Sequence, residues 1–187
     1  MTGMNTNELV DYIQRNGAKW IAIDGRCGSG KTTLAACLRE ALGAQVIHMD
    51  DFYLRLEQRT KERYREPGGN VDRERFLSEV LEPLRKGSDV SWHPFSHLTM
   101  SLSNEVKMAF AGVLTVVEGS YSLHPDLRWA YDLKIFSDIS PEEQRKRILT
   151  RNGANAPMFF ERWIPLEELY FEKMGIRDHA DIIVRND

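Results

Sequence analysis

Apolar residues recur along this chain with two different periods, which predict that helices and strands alternate. Leu9, Tyr12 and Ile13 lie at helical spacing within residues 7–16, and Gly17 follows as a helix stop. Short runs rich in β-branched residues predict strands instead. The pattern predicts three helices at residues 7–16, 33–42 and 72–85, and five strands at residues 19–24, 44–49, 113–117, 133–136 and 180–184.

The order of these elements predicts the fold class. Residues 113–117 are nearly all apolar, which is typical of a central parallel strand buried on both faces. Ser140 and Pro141, followed by two glutamates, indicate the start of a further helix with a capping box. Five strands alternating with helices predict an α/β domain with a doubly wound, five-stranded parallel sheet and ligands at the carboxyl ends of its strands.

One segment, at about residues 87–112, departs from the strict alternation. It contains short strand-like pieces at residues 90–92, 97–102 and 105–110, with a turn near Ser103 and Asn104. We expect a small antiparallel insertion there. Loops on a rigid scaffold often carry substrate pockets, so the insertion is expected on the substrate side.

Composition and charge limit the classes of partner. The 187 residues are 42% hydrophobic and 28% charged, which suits a single domain over residues 1–187. A net charge of −3 argues against binding to long nucleic acid or to an anionic membrane. We found no signal peptide in residues 1–14 and no apolar run long enough for a membrane span. These observations favour a cytoplasmic protein and leave open whether it forms a homo-oligomer.

The chain has two cysteines, Cys27 and Cys37, so a disulfide framework is not expected and a reducing compartment fits better. Cys27 lies near a predicted helix start and is either a reactive thiol or a tolerated loop residue.

A phosphate-binding motif follows the first predicted strand. The segment Gly25-Arg26-Cys27-Gly28-Ser29-Gly30-Lys31-Thr32 fits the pattern G-x-x-x-x-G-K-[ST]. In such a loop the backbone N–H groups surround phosphates, the lysine reaches the β and γ oxygens, and the hydroxyl binds Mg²⁺. The alternative is a glycine-rich turn without a ligand. The motif predicts ATP, or another nucleoside triphosphate, bound by Gly25, Cys27, Gly28, Ser29, Gly30, Lys31, Thr32 and Thr33.

Two acidic residues follow predicted strands and are candidates for the metal side. Mg²⁺ prefers hard oxygen ligands, and Asp50 and Glu118 lie where the second and the central strands end. We therefore expect Thr32, Asp50 and Glu118 around the metal. Phosphoryl transfer to a hydroxyl also needs a base, and Asp50 is suitable. Alternatively, Glu118 is a helix cap or a solvated strand end, and Asp50 belongs to a simple turn.

Five segments in order resemble the uridine kinase family, which is related to phosphoribulokinase and bacterial pantothenate kinase. Beside the phosphate loop, Met49-Asp50-Asp51-Phe52-Tyr53 resembles its D-[SD]-F-Y segment, and Asn70-Val71-Asp72 its N-F-D segment. Val116-Val117-Glu118-Gly119 is similar to its [VF]-E-G strand end, and Arg147-Ile148-Leu149-Thr150-Arg151-Asn152 to its lid helix. The resemblance covers about residues 19–152 and implies a nucleoside-kinase-like P-loop NTPase fold.

The resemblance also implies roles for individual residues. Asp50 would be the base or metal partner of the acceptor hydroxyl, Asp72 would bind ribose hydroxyls, and Tyr53 would belong to the substrate pocket. Glu118 would help to hold Mg²⁺ through water. Arg147 and Arg151, one helical turn apart in a lid at about residues 140–165, would approach the transferred phosphate. Trp92 and His97, or His93, occupy the region that contacts the base; a core or surface role is the alternative for each.

Departures from the family pattern leave the acceptor open. Asp51 stands where uridine kinases usually have serine, Asn152 replaces an aspartate, and only Arg162 lies near the place of the second lid arginine cluster. We expect an ATP- and Mg²⁺-dependent kinase of a small-molecule hydroxyl, with the 5′-hydroxyl of a uridine- or cytidine-like nucleoside as first candidate. The alternatives are pantothenate, nicotinamide riboside, a sugar acid or a nucleoside monophosphate as acceptor, or a non-catalytic nucleotide sensor.

Overall fold

The computed structural model describes residues 3–186. A five-stranded sheet, in the order β2-β7-β1-β8-β9, forms its centre, and all neighbouring strands are parallel. The predicted doubly wound parallel α/β fold is thus confirmed. The strands are β1 Trp20–Gly25, β2 Gln45–His48, β3 Val90–Trp92, β4 Phe95–Ser96, β5 Ser101–Leu102, β6 Lys107–Ala109, β7 Thr115–Glu118, β8 Leu133–Asp138 and β9 Ile182–Arg185.

Helices cover both faces of this sheet. Leu9 and Ile13 of α1 and Leu38 of α2 pack on one face, whereas Phe76 of α4 and Tyr170 of α6 belong to the core on the other. Burial of both faces explains why the central strands are almost entirely apolar. The helices are α1 Thr6–Asn16, α2 Lys31–Leu42, α3 Lys61–Arg65, α4 (Arg73–Phe76, π-helical Leu77–Leu81 and Glu82–Arg85), α5 Pro141–Asn152 and α6 (Ala156–Met158, π-helical Phe159–Trp163 and Ile164–Lys173).

Local capping determines where the predicted helices begin and end. Asn5 and Glu8 form a reciprocal capping box at the start of α1, and Gly17 ends it in the left-handed conformation. Ser140 accepts a hydrogen bond from the N–H of Glu143 and so caps α5, as its sequence predicts. None of the helices within residues 3–186 has the length and apolarity needed to cross a bilayer.

The insertion is antiparallel, but its turn differs from the prediction. Strand β3 pairs with β6, and β4 pairs with β5, as two small sheets. The hairpin turn lies at residues 97–100, where Met100 has φ 55°, and not near Ser103 and Asn104. Leu98 is 95% exposed. Leu98 thus contributes to an alternating pattern that is typical of a strand, although its side chain is exposed in a turn.

Candidate active site

The phosphate loop connects β1 to α2 and depends on glycine at its first position. Gly25 has φ 135°, and a Cβ atom there would lie 2.0 Å from the carbonyl oxygen of Ser137 on β8. No other residue fits so close to a neighbouring strand. Gly30, with φ 90°, caps α2 and directs the loop into the helix. The loop is therefore fixed between the sheet and the positive end of α2.

Lys31 carries the positive charge of this loop. Its Nζ donates hydrogen bonds to the carbonyl oxygens of Gly25, at 2.7 Å, and Arg26, at 2.9 Å. Among residues 3–186, no carboxylate forms an ion pair with it. A half-buried ammonium held only by carbonyl groups can turn to an incoming phosphate, which is the role that the sequence predicts.

Thr32 and Glu118 lie together at the predicted metal side. Thr32 Oγ1 donates to the two oxygens of Glu118 at 3.3 and 3.4 Å, and Glu118 is only 5% exposed. His48 Nδ1 also bonds to Glu118, and this hydrogen bond raises the pKa of His48 above its usual value. Within the described chain, no cluster of three or more His, Cys, Asp or Glu side chains forms a complete metal cage. One hydroxyl and one carboxylate fit Mg²⁺, which usually keeps waters and phosphate oxygens as its other ligands.

Asp50 lies in a 3₁₀ turn, Met49–Phe52, directly after β2. Its carboxylate is open to the cavity and accepts a hydrogen bond from the Tyr53 hydroxyl. Desolvation by the surrounding protein raises the pKa of Asp50, and the charge of Glu118 raises it further, whereas Lys31 lowers it. Asp50 therefore lies close enough to Lys31 and Glu118 for both charges to change its pKa.

A cavity of about 1280 Å³ brings most predicted site residues together. Donor-side residues line one part of it, and Asp50, Tyr53 and His97 line another. The Tyr53 and His97 rings are in edge contact, with centroids 4.9 Å apart. The predicted residues on its wall are Cys27, Gly28, Gly30, Lys31, Thr32, Thr33, Asp50, Tyr53, His97, Glu118, Arg147 and Arg151, joined by Arg59, Tyr64, Asn70, Arg162 and Trp163.

The two lid arginines contact the phosphate loop. Arg147 donates to the carbonyl oxygen of Gly28 at 3.3 Å and pairs with Glu143 at 3.1 Å. Arg151 donates to Cys27 Sγ at 3.4 Å. Helix α5 thus presents both guanidinium groups at the loop, and their approach to a transferred phosphate stays a prediction.

The structure does not bring Asp72 and Trp92 to the cavity. Asp72 is buried at the start of α4, where Oδ1 accepts from the N–H of Arg75 at 3.1 Å and Oδ2 accepts from Gln58 Nε2 at 2.7 Å. Trp92 is buried in the core and donates to Asp51 Oδ2 at 3.0 Å. Neither lines the cavity, because each side chain already serves a helix cap or the insertion. His93, the other histidine considered, bonds to backbone oxygens of the insertion.

Gly25 and Ser29 also lie outside the cavity wall, although both belong to the loop. Ser29 is buried, and its carbonyl oxygen accepts from Ser137 Oγ and Asn186 Nδ2. Gly25 and Ser29 thus hold the loop against strand β8.

Sequence reasoning missed three residues that support or line the site. Asp24, Ser120 and Glu167 share buried or half-buried positions around the loop. The carboxylate of Asp24 accepts from the N–H groups of Gly25, Tyr121 and Leu123, and burial raises its pKa. Its place in an apolar strand directly before the loop was a usable signal. Nothing local in the sequence connects Glu167 with a loop 140 residues earlier.

Comparisons with known proteins find relatives that are named as kinases. No protein-family model matches the chain. A uridine kinase of Aliivibrio salmonicida (strain LFI1238) is 26% identical over 183 residues, which are 88% of this chain and 84% of that protein. A bifunctional alpha-galactosidase/sucrose kinase of Mediterraneibacter gnavus is 30% identical over 89% of this chain, which spans only 20% of that longer protein.

Two solved structures share the fold. A candidate fructose transport system kinase from Silicibacter sp. TM1040 aligns with a TM-score of 0.76 and 22% identity, over 97% of this chain and 99% of its own. A possible uridine kinase from Bacillus stearothermophilus aligns with a TM-score of 0.69 and 20% identity, over 97% and 100%. At these identities the structures establish the fold, and they leave the acceptor open.

Proposed function

We propose that this chain, which belongs to the uridine kinase-like P-loop kinases, transfers the γ-phosphoryl group of ATP to a hydroxyl group of a small molecule. The observation that carries the proposal is the arrangement of Lys31, Thr32 and Asp50 on one cavity wall. A phosphate-binding cation and an acceptor-side carboxylate face the same space, which is what direct transfer between two bound molecules requires.

The donor half would bind and neutralise the triphosphate. The loop N–H groups, Lys31 and the lid arginines Arg147 and Arg151 would surround its oxygens. Mg²⁺, held by Thr32 and Glu118, would draw charge from the phosphate oxygens. A smaller cavity of about 320 Å³, lined in part by Leu34, Cys37, Arg147 and Asn186, would hold the donor base.

On the acceptor side, Asp50 would bind the attacking hydroxyl. The hydroxyl oxygen forms a bond to the γ-phosphorus as the bond to the β–γ bridging oxygen breaks, and the hydroxyl proton passes to Asp50. Tyr53 donates to the same carboxylate and orients it. The raised pKa of Asp50 makes this carboxylate a better proton acceptor than an ordinary aspartate.

The acceptor that we propose first is a ribonucleoside, as in the A. salmonicida relative. The rings of Tyr53 and His97 on the cavity wall support this proposal, because a planar base can pack on them. The buried position of Asp72 gives no support to its expected role in ribose binding.

A sugar is the second candidate. It is supported by the relative that contains a sucrose kinase and by the aromatic and arginine side chains of Tyr64, Arg59, Arg162 and Trp163 on the same wall. Rings can cover the apolar face of a sugar, and arginines can donate to its hydroxyl groups.

A phosphorylation screen tests the proposal. The protein would be incubated with MgATP and, separately, nucleosides, free sugars, sugar acids, pantothenate, nicotinamide riboside and nucleoside monophosphates. We expect phosphoryl transfer to at least one acceptor by the wild type and none by Lys31→Ala. ATP binding without transfer to any acceptor would overturn the kinase proposal and favour a nucleotide sensor.

A further inference from the structure

Ser120 and Glu167 form a hydrogen-bonded pair on the wall of the main cavity. Ser120 lies just after β7, and Glu167 lies in α6. Both side chains line the cavity; Ser120 is half-buried and Glu167 is 6% exposed. Ser120 Oγ donates to Glu167 Oε1 at 2.6 Å, and the N–H of Cys27 donates to Oε2 at 2.9 Å. None of the roles assigned above uses this pair.

The bonding pattern determines what Ser120 can offer to a bound molecule. A serine hydroxyl has one O–H donor and two lone pairs. Ser120 uses its donor in the hydrogen bond to Glu167. Its oxygen therefore presents only lone pairs to the cavity. Because its donor hydrogen bond goes to a carboxylate, the oxygen is also a stronger acceptor than an ordinary serine hydroxyl.

The pair lies between the phosphate loop and the acceptor side. Glu167 holds the loop at Cys27, and its charge also contributes to the raised pKa of Tyr53, after burial and the charges of Asp50 and Tyr121. Burial raises the pKa of Glu167 itself, and the charge of Lys31 lowers it, as it does for Asp50. An acceptor placed for transfer beside Lys31 would thus lie near both carboxylates.

The backbone around Ser120 is held in an unusual conformation. Tyr121, the next residue, has φ 78°, a left-handed value that is rare for an aromatic residue. The N–H groups of Tyr121 and Leu123 are bound to the buried carboxylate of Asp24 at 3.2 and 2.9 Å. Strained backbone that the surroundings fix in this way is a recurrent feature of ligand sites. Ser120 is therefore preorganised in its place.

We propose that Ser120, polarised by Glu167, accepts a hydrogen bond from a second hydroxyl group of the acceptor and so helps to determine specificity. The inference rests on the proposed function and narrows its acceptor to molecules with at least two hydroxyl groups, one phosphorylated and one bound by Ser120. Asp50 would act on the first hydroxyl, and Ser120 on the second.

The test uses four probes, uridine, D-fructose, sucrose and glycerol, each with MgATP. The variants are Ser120→Ala, Glu167→Gln and the double variant. We expect Ser120→Ala to raise the acceptor KM about 10-fold or more, with kcat and the KM for ATP within about three-fold, because a charge-assisted hydrogen bond is lost.

Glu167→Gln separates the charge from the hydrogen bonds. The amide oxygen can still accept from Cys27, while the amide nitrogen donates to Ser120 and turns the serine proton towards the cavity. We expect a smaller rise in the acceptor KM, about three- to ten-fold, and a double variant no worse than Ser120→Ala, because the two residues act as one unit. Ser88→Ala and Glu172→Gln, both exposed, are the matched controls.

Three outcomes decide the proposal. An unchanged acceptor KM in Ser120→Ala, or a raised KM for ATP alone in Glu167→Gln, would show that the pair only supports the loop, and would overturn it. Transfer to none of the four probes by the wild type would overturn the acceptor assignment of the proposed function and this inference with it. If Ser120→Ala lowers the unfolding temperature, the acceptor KM of Glu167→Gln decides instead, because this variant keeps both hydrogen bonds.

Discussion

Lys31 is the residue whose loss we expect to be most damaging to activity. In the part of the chain that the structure describes, its ammonium group has only carbonyl hydrogen-bond partners, so Lys31→Ala removes the phosphate-binding charge without breaking an ion pair. We expect kcat to fall by about 10²–10³ or more with little change in thermal unfolding. Steady-state kinetics of Lys31→Ala beside Lys173→Ala, an exposed control, would check this. Turnover within a few-fold of the wild type would contradict the role.

Asp50 and Asp72 are both acidic and both predicted from sequence, yet the structure gives them different environments. Asp50→Asn should lower kcat by on the order of 10²–10⁴, because a positioned base is lost. Asp72→Ala should instead reduce the free energy of unfolding by about 0.5–2 kcal/mol, because a helix cap is lost. Urea unfolding and steady-state kinetics of both variants would separate the effects. A higher acceptor KM in Asp72→Ala, at unchanged stability, would restore the ribose-binding role.

For single residues, the site could be predicted from sequence where the residues that form it are close together in the chain. The phosphate loop is a contiguous motif, so Lys31 and Thr32 could be assigned from eight letters. The predicted position of Trp92 was wrong because an indole ring can either stack on a base or pack in the core. Its hydrogen bond to Asp51, which the sequence does not reveal, places it in the core. Glu167 was invisible because tertiary folding alone brings it to the loop.

Among the elements, the insertion is joined to the rest of the domain partly through the buried carboxylate of Asp51. Asp51 accepts from Trp92 Nε1 on β3, at 3.0 Å, and from Lys107 Nζ on β6, at 2.8 Å. The insertion carries His97 and Met100 to the cavity wall. The serine that uridine kinases usually have at position 51 could not hold both strands with a charge.

We expect Asp51→Ala to loosen the insertion, because it leaves the Lys107 ammonium and the Trp92 N–H without their partner. Proteolysis between residues 97 and 106 should become faster, and the acceptor KM should rise while the KM for ATP stays constant. Limited proteolysis and kinetics beside Ser91→Ala, an exposed control on the same strand, would check this. Equal cleavage rates in wild type and variant would show that Asp51 does not hold the insertion in place.

Periodicity predicted the elements that are amphipathic and missed those that are not. The helical period of residues 72–85 was correct, although five of these residues form a π-helical turn that no spacing rule indicates. Helix α6 was recognised only as part of a lid. Its π-helical segment, Phe159–Trp163, has no buried residue, so its sequence shows no apolar stripe that would predict a helix.

For the whole molecule, acid stability should depend on His124. This side chain is 3% exposed, and its Nδ1 accepts from the N–H of Asp126, which requires a neutral ring. Burial, followed by the charge of Arg73, lowers its pKa to about 4. The unfolded chain binds a proton below pH 6.5 and the folded one does not until about pH 4. The contribution of His124 to the free energy of unfolding is therefore fully present above pH 6.5 and is lost as the pH drops towards 4.

The loss from this one residue should reach up to about 3 kcal/mol. Urea unfolding of His124→Gln between pH 4 and pH 7 should give a flatter profile than the wild type, with His179→Gln as the exposed control. Parallel profiles for wild type and His124→Gln would rule out this source of acid lability.

The global fold was the most predictable level, because many weak signals agree on it. Buried strands such as residues 113–117 and alternating helices allow few arrangements, and the loop fixes the functional edge of the sheet. The insertion's register was not predictable, since its short strands offer two or three residues each.

The buried carboxylate of Asp24 has a consequence for amide hydrogen exchange. It holds the N–H groups of Gly25, Tyr121 and Leu123, which belong to two segments, the start of the phosphate loop and the chain after β7. Their deuterium uptake should therefore be slow and correlated, since one opening event releases all three. The exchange rates of these amides would report how often the structure around Asp24 opens locally, separately from unfolding of the whole chain.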